Sequence, residues 1–257
     1  MTRWQKLYKW TLFLLGAPRC VGCDERLANP YSPLCPDCLD KYKEVKTENC
    51  SLCGRVFHNC SCRNEYLASH FVKRHFKVFR YRNREENAVA NALIYSMKRD
   101  NRADVLNFVT DEVANTLSNF IAENQGVIFT NIPRRKSAIV KYGVDQAKDL
   151  ARALSGRFDC EYRELLVSKS KRAQKKIRAK ERIDNVIFEY RKRNPEALDG
   201  KTVIIVDDVV TTGASVATAA SLIRALGAKK IVAASIASTY KDEPSALRKA
   251  ELLRAKK

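Results

Sequence analysis

Hydrophobic and polar positions follow two alternating periods along most of the chain after residue 64. Short β-branched runs predict buried strands, and apolar residues spaced three or four positions apart predict the helices between them. The predicted strands are Lys77–Tyr81, Val127–Thr130, Glu161–Val167, Val186–Tyr190, Thr202–Asp207 and Lys230–Ala237, and the predicted helices are Arg84–Lys98, Ala103–Ala122, Asp145–Leu154 and Ala214–Leu226. This alternation predicts an α/β fold with a parallel sheet, whose ligands bind at the carboxyl ends of the strands.

Paired cysteines distinguish the amino-terminal part of the chain. Eight of the nine cysteines lie between positions 20 and 62, in four closely spaced pairs. Each such pair can form a knuckle that offers two thiolates, and two knuckles complete a tetrahedral zinc shell. The pattern predicts two structural zinc ions, held by Cys20, Cys23, Cys35 and Cys38 and by Cys50, Cys53, Cys60 and Cys62. His58 could replace a ligand of the second ion, Cys160 stands apart, and four disulfides in a secreted module are the alternative.

Chain length and net charge limit the classes of protein that are compatible with the sequence. The chain has 257 residues, enough for one full domain and a smaller module, and a net charge of +19. Its basic residues attract polyphosphates or nucleic acid, although a solubilising surface would have the same composition. Within residues 1–18, the apolar run Trp10–Leu15 is too short to span a bilayer, and no cleavage site follows it. The stretch at residues 1–18 predicts an amphipathic helix on the cysteine-rich module, with contacts from Trp4, Leu7, Tyr8 and Leu12.

The segment Val203–Ser215 joins a β-branched strand to a helix through a turn with two acids, two threonines and a glycine. Backbone N–H groups from Thr211 to Ser215 and the positive end of the following helix favour a phosphate, and Gly213 allows close approach. Asp207 and Asp208 can accept hydrogen bonds from the hydroxyls of an attached sugar, or hold magnesium through water. The segment predicts a sugar-phosphate site, with an ordinary Asp-capped turn as the alternative.

This segment resembles the signature of the type I phosphoribosyltransferases: four apolar residues, two acids, two further residues and Thr-Thr-Gly. The resemblance implies that Asp207 and Asp208 are catalytic-site residues that contact the ribose of phosphoribosyl pyrophosphate. It implies that magnesium accompanies this ligand and that a nitrogen nucleophile displaces pyrophosphate. Purine-salvage members carry a carboxylate base where Thr211 stands, so purine salvage is disfavoured, and orotate-like and amide-nitrogen chemistry stay open. The implied ligand-binding residues of the loop are Val209, Val210, Thr211, Thr212, Gly213, Ala214 and Ser215.

Basic residues fall where this family needs them. Pro133, Arg134 and Arg135 follow the strand that ends at Thr130, at the position of the family's pyrophosphate loop, and arginine binds phosphate oxygens bidentately. Lys98, near the end of a predicted helix, is a further expected ligand-binding residue. The segment Lys169–Arg182 resembles the family's mobile hood, whose closure excludes water. A helix entry with chance basic residues and a disordered basic loop are the respective alternatives.

The order of these motifs over the whole chain resembles the competence protein F family. The motifs are, in order, the four cysteine pairs, Met97-Lys98-Arg99, Pro133-Arg134-Arg135, Lys141–Ala147 and the acidic loop. The segment Lys141–Ala147 departs from the family pattern at several positions. The resemblance implies an α/β type I phosphoribosyltransferase domain with a parallel sheet at residues 64–240, after a double zinc ribbon at 19–63 and before a basic tail at 241–257. It implies a cytoplasmic location without membrane insertion, where zinc is favoured over disulfides.

Three functions are compatible with these motifs. The first is transfer of a phosphoribosyl group to a nitrogen acceptor, and the second is sensing of phosphoribosyl pyrophosphate without chemistry. The third is an adaptor role in DNA uptake, with a competence-machinery protein or single-stranded DNA as partner. Turnover with pyrophosphate release separates the first from the second, and steeply salt-dependent DNA affinity identifies the third.

Overall fold

The computed structural model describes residues 18–29, 31–62, 64–99, 102–169 and 187–239, together with positions 4, 7, 10, 11 and 16. The predicted hood beyond Lys169 and the predicted basic tail lie outside these residues. In the predicted amino-terminal helix, the described positions 4, 7, 10 and 11 are helical. Of the predicted contact residues, Trp4 and Leu7 are exposed, and Tyr8 and Leu12 lie outside the described residues. Trp10 meets Tyr31 edge to face at 6.5 Å.

Helices and strands are interspersed along the described residues. The helices are α1 (Pro36–Lys46), α2 (Glu65–Ser69), α3 (Ala88–Arg99), α4 (Ala103–Ala122), α5 (Lys136–Tyr142), α6 (Gln146–Arg157) and α7 (Ala214–Ala225). The strands are β1 (Val72–Arg80), β2 (Val127–Asn131), β3 (Glu161–Tyr162), β4 (Leu166–Ser168), β5 (Phe188–Tyr190), β6 (Thr202–Val210) and β7 (Lys230–Ser238). Both ends of α4 agree with the prediction, and most other predicted elements are present with shifted ends.

Five strands form a parallel sheet in the order β1-β7-β6-β2-β3. β6 lies in the middle, and its β-branched run Val203–Val206 is fully buried, as expected for a strand covered on both faces. Because the strands are parallel, the ends of β6 at Val210 and of β2 at Asn131 lie at one edge of the sheet. The predicted α/β fold with a parallel sheet is therefore confirmed.

The predicted strand Glu161–Val167 is wrong as a single element. Its first part is β3, which pairs with β2, and the Arg163 amide continues that pairing by donating to the Phe129 carbonyl at 2.9 Å. The chain then leaves the sheet, and β4 pairs antiparallel with β5 in a separate two-stranded ribbon. The apolar residues in both parts report burial and not the identity of the pairing strand.

The cysteine-rich module and the α/β domain share one hydrophobic core. Tyr42 of α1 is 1% exposed, and its ring meets Phe79 of β1 and Phe108 of α4 edge to face, at 6.1 and 5.3 Å. Its hydroxyl donates to Glu112 Oε2 at 2.7 Å, and the Lys46 ammonium lies 2.7 Å from the same oxygen. The module is therefore packed against α4 and the sheet through both apolar and charged contacts.

Candidate functional site

The two adjacent acids lie near the end of the central strand. β6 continues through Asp207 and Asp208 to Val210, three residues beyond the predicted end of this strand. The Asp208 amide donates to Asp207 Oδ1 at 2.9 Å, and the Val209 amide donates to Asp208 Oδ1 at 2.6 Å. Each carboxylate is thus held against the backbone of the next residue, at the sheet edge where ligands of parallel α/β proteins bind.

The negative charges of Asp207 and Asp208 are only partly compensated by neighbouring positive charge. Burial, followed by the neighbouring charge of Asp208, raises the pKa of Asp207 well above its usual value. The ammonium of Lys98, at the end of α3, lies 2.9 Å from Asp208 Oδ2 and acts in the opposite direction on the pKa of Asp207. Sugar hydroxyls or a hydrated cation would stabilise the charged form of Asp207. Two carboxylates in this position fit a ribose diol or Mg²⁺, whose preferred ligands are oxygens.

The turn after β6 has the backbone geometry of an anion-binding helix start. Gly213 is the N-cap of α7 with φ 83°, a left-handed conformation that favours glycine. The Thr212 hydroxyl accepts a hydrogen bond from the Ala214 amide at 3.3 Å. α7 has twelve residues, so its amino end carries the partial positive charge expected of a regular helix. The predicted loop residues from Val209 to Ser215 therefore span the end of β6, this turn and the start of α7.

The predicted basic loop lies beside the acids. The Ile132 amide donates to the Val206 carbonyl at 2.9 Å, which keeps the chain after β2 next to β6. Pro133 to Arg135 follow directly, and Arg135 is the N-cap of α5, a helix that the sequence patterns did not predict. Arg134 Nη1 donates to the Val144 carbonyl at 2.6 Å, so this guanidinium contacts the segment before α6. The structure therefore brings this loop to the same sheet edge as the acids.

A contact from α2 to the phosphate turn was missed by sequence reasoning. A Cβ atom added to Gly213 would lie 2.8 Å from Leu67 Cδ2 and 3.7 Å from Tyr66 Cδ1. Leu67 and Gly213 are far apart in the sequence, and no local pattern links them. The only feature of the sequence that indicates the start of α2 is the capping residue Asn64. Its side chain accepts a hydrogen bond from the Leu67 amide at 2.9 Å.

The eight paired cysteines form two compact groups, as predicted. The sulfur atoms of Cys20, Cys23, Cys35 and Cys38 lie within 4.8 Å of one another, and so do those of Cys50, Cys53, Cys60 and Cys62. In each group an amide donates to a cysteine sulfur, from Gly22 to Cys20 and from Cys62 to Cys60, both at 3.4 Å. His58 is outside the second group, and its Nδ1 lies 3.3 Å from the Lys46 carbonyl oxygen.

The chemistry of these donors fits zinc. Burial acts to raise the pKa of Cys20, but backbone amides of Cys35, Cys23 and Gly22 together bring it down to about 7. Burial raises the pKa of Cys60, and the nearby Lys77 ammonium opposes that rise. Four sulfur donors around one centre match a structural zinc site, in which no coordination position is left for water. Both groups could therefore hold zinc and stabilise the fold.

The described helices include none that is both long enough and apolar enough to cross a bilayer.

Part of the chain matches a known protein family, and several solved structures are weakly similar to it. Residues 138–251, less than half of the chain, match the family model of the phosphoribosyl transferase domain. A purine phosphoribosyltransferase from Pyrococcus horikoshii is 17% identical, with 53% of this chain and 83% of that chain covered and a TM-score of 0.35. A hypoxanthine phosphoribosyltransferase from Staphylococcus aureus is 12% identical, with coverages of 55% and 66% and a TM-score of 0.36. No curated protein sequence matches the chain significantly.

A phosphoribosylpyrophosphate synthetase from Mycobacterium smegmatis is also similar, at 15% identity, with 57% of this chain and 37% of that chain covered and a TM-score of 0.31. The chain is thus an α/β protein with a parallel sheet, in which residues 138–251 match the phosphoribosyl transferase domain. A cysteine-rich region that could form two zinc ribbons precedes this domain.

Proposed function

We propose that the chain binds phosphoribosyl pyrophosphate with magnesium and transfers its phosphoribosyl group to a nitrogen acceptor. The observation that supports this function best is the position of Asp207 and Asp208 at the end of the central strand, directly before the glycine turn that caps α7. The carboxylates accept hydrogen bonds from the ribose hydroxyls, and the amides from Thr211 to Ser215 bind the 5-phosphate.

The remaining groups act on the leaving pyrophosphate. Pro133 to Arg135 follow β2 beside the acids, so the backbone N–H groups of Arg134 and Arg135 start from the sheet edge where pyrophosphate would lie. Lys98 balances the charge of Asp208 and keeps this carboxylate oriented while the sugar binds. Arginine and lysine stabilise the negative charge that develops on the leaving group.

The transfer breaks the bond between the anomeric carbon and the pyrophosphate oxygen, and the electron pair leaves with pyrophosphate. The nitrogen lone pair of the acceptor forms the new bond to that carbon, and the nitrogen then releases its proton to solvent. Magnesium, when bound, neutralises pyrophosphate charge. Asp207 and Asp208 hold the ribose ring, so that its cationic carbon faces the acceptor during the substitution.

Calorimetric titration with phosphoribosyl pyrophosphate and magnesium tests the binding step. We expect binding by the unmodified chain and none by the double variant Asp207→Asn, Asp208→Asn. The matched control is Asp111→Asn, because Asp111 forms an exposed ion pair with Arg157 on the surface of α4 and α6. Equal binding by the double variant and the control would refute the proposed site. Pyrophosphate release that depends on an added nitrogen acceptor separates a transferase from a sensor.

We also propose an adaptor role in DNA uptake, which the net charge of +19 favours. A chain that neutralises phosphates of single-stranded DNA releases counterions, so the logarithm of its affinity falls linearly with the logarithm of the salt concentration. Fluorescence anisotropy with a labelled oligonucleotide at about 50 mM and about 200 mM salt measures that slope. A flat response, or no binding at the lower salt concentration, would reject direct DNA contact and leave only a protein of the competence machinery as partner.

A further inference from the structure

The short helix α2 connects the second cysteine group to the phosphate turn. Cys62 is the last thiol of that group, and one residue separates it from Asn64, the N-cap of α2. The Asn64 side chain accepts a hydrogen bond from the Leu67 amide at 2.9 Å, which fixes the first turn of the helix. The start of α2 is therefore tied closely to the donors of the second zinc site.

The other end of this connection is the packing of Leu67 on the turn. Leu67 is 2% exposed and belongs to the same cluster of buried side chains as Val210 and Val216, which lie on either side of the turn. There is no room between Leu67 and Gly213 for even one additional methyl group, since a Cβ atom at position 213 would come within 2.8 Å. The turn is thus confined from outside by α2.

We propose that Leu67 is a positioning residue for the phosphate turn and that the second zinc site holds it in place through α2. This inference rests on the proposed function, because it concerns the affinity of the turn for the 5-phosphate. A turn whose amides bind phosphate loses affinity when it must first be ordered, since the ordering entropy is subtracted from the binding free energy. A buried side chain on the outer side of the turn removes that cost in advance.

The variant Leu67→Ala tests the contact. We expect its dissociation constant for phosphoribosyl pyrophosphate with magnesium to rise at least about tenfold. Hydrogen exchange of the amides from Thr211 to Ser215 should accelerate in the ligand-free protein. Leu67→Met, which fills the same space, should restore both values to nearly those of the unmodified chain. If Leu67→Ala does not fold, Leu67→Val makes a smaller cavity at the same contact and should shift both readouts in the same direction.

Leu117→Ala is the matched control for lost packing. Leu117 of α4 is 0% exposed and belongs to the other large cluster of buried side chains. Its removal should lower the stability of the protein but leave the dissociation constant and the exchange of the turn amides unchanged. Similar effects of Leu67→Ala and Leu117→Ala on both readouts would overturn the positioning role.

The metal connection is tested with one ligand of each cysteine group. Cys62→Ser should lower the zinc content by one ion per chain and accelerate amide exchange in α2 and in the turn. Cys23→Ser should also lower the zinc content by one ion but leave exchange in the turn unchanged. Unchanged turn exchange in Cys62→Ser would overturn the zinc connection.

These readouts separate the inference from the proposed function. If the unmodified chain fails to bind phosphoribosyl pyrophosphate, the proposed function is refuted, while the exchange measurements still decide whether Leu67 orders the turn. If the unmodified chain binds and Leu67→Ala binds equally well with unchanged exchange, the proposed function stands and the positioning role is refuted.

Discussion

Lys98 Nζ lies 2.9 Å from Asp208 Oδ2, which joins the end of α3 to the end of the central strand. The side chains are 35% and 18% exposed, so solvent screens this pair less than an ion pair on the open surface. The same ammonium lowers the pKa of Asp207, which burial and Asp208 raise. One cation therefore affects both acids, and its removal should alter stability and the charge of the site together.

Lys98→Gln should lower the free energy of unfolding by about 1 kcal/mol, because Asp208 loses its cation beside a second acid. Urea denaturation at constant zinc concentration measures this change. Lys169→Gln is the control, since Lys169 and its partner Glu189 are each 56% exposed. Its effect should stay below about 0.5 kcal/mol. Equal effects of the two substitutions would contradict a special role of the Lys98 pair.

Asp207→Asn should increase stability and abolish ligand binding. In the unmodified chain the folded-state pKa of Asp207 is raised, so the unfolded state releases this proton at a lower pH than the folded state. The stability contributed by the protonated form is complete below the unfolded pKa and is lost as pH rises through the folded pKa. Above the folded-state pKa, the free energy of unfolding has fallen by about 1.4 kcal/mol for each pH unit by which the folded-state pKa of Asp207 exceeds its unfolded-state pKa. The asparagine variant lacks this loss.

Urea denaturation in steps from about pH 6 upward tests the sign, in a range where the zinc thiolates remain bound. The unmodified chain should lose stability relative to Asp207→Asn until pH exceeds the folded pKa, and the difference should then stay constant. Asp111→Asn, at a surface ion pair, should show no such difference. A variant that is less stable than the unmodified chain throughout this range would contradict the assignment of the raised pKa to Asp207.

Local patterns predicted the α/β class and most of the helices and strands of the sheet. The helical spacing of α4 predicted both of its ends, and the β-branched run before Asp207 predicted the central strand. Cysteine spacing predicted both four-sulfur groups, because a knuckle depends on nearby residues. The strand β1 was predicted too short, since Lys73, Arg74 and His75 interrupt its apolar pattern. The His75 ring is nevertheless buried and lies 2.8 Å from the Ser235 hydroxyl, a partner that the local sequence does not indicate.

The sequence predicts only those parts of the candidate site whose residues are neighbours along the chain. The acids and the glycine turn are contiguous in sequence, so their proximity follows from the chain itself. Lys98 was expected from a family resemblance, and its ion pair with Asp208 depends on how α3 packs. The contact of Leu67 with Gly213 depends on the packing of α2 against the turn, and no periodicity reports such a contact.

Each cysteine group should hold one zinc ion. Elemental analysis of the purified chain should give two zinc ions, and Cys38→Ser and Cys60→Ser should each give one. Cys160→Ser is the matched control, because Cys160 lies outside both groups and should leave two. Apparent binding energies are on the order of 10 kcal/mol for zinc peptides, so chelation should unfold much of the cysteine-rich module. Two retained ions in Cys38→Ser would contradict the assigned ligands.

The hydroxyl of Tyr42 should contribute measurably to the docking of the cysteine-rich module. It donates to Glu112 Oε2 at 2.7 Å, burial raises the pKa of Tyr42, and the Glu112 charge adds to that rise. Tyr42→Phe keeps the ring contacts but removes a hydrogen bond to a charged group, which should cost about 1.5–3 kcal/mol. Tyr190→Phe, which loses a bond to the neutral Leu222 carbonyl, should cost about 1 kcal/mol.

A double-mutant cycle of Tyr42→Phe with Glu112→Gln isolates the interaction between the module and α4. The two residues are in direct contact, so their effects on the free energy of unfolding should be non-additive by about 1 kcal/mol or more. Lys46 pairs with the same carboxylate, and Lys46→Gln in the Tyr42→Phe background should therefore also be non-additive. Strict additivity in both cycles would mean that the Tyr42 hydroxyl does not stabilise the docked module. The aromatic contacts of Tyr42 with Phe79 and Phe108 would then hold α1 in place without this hydroxyl.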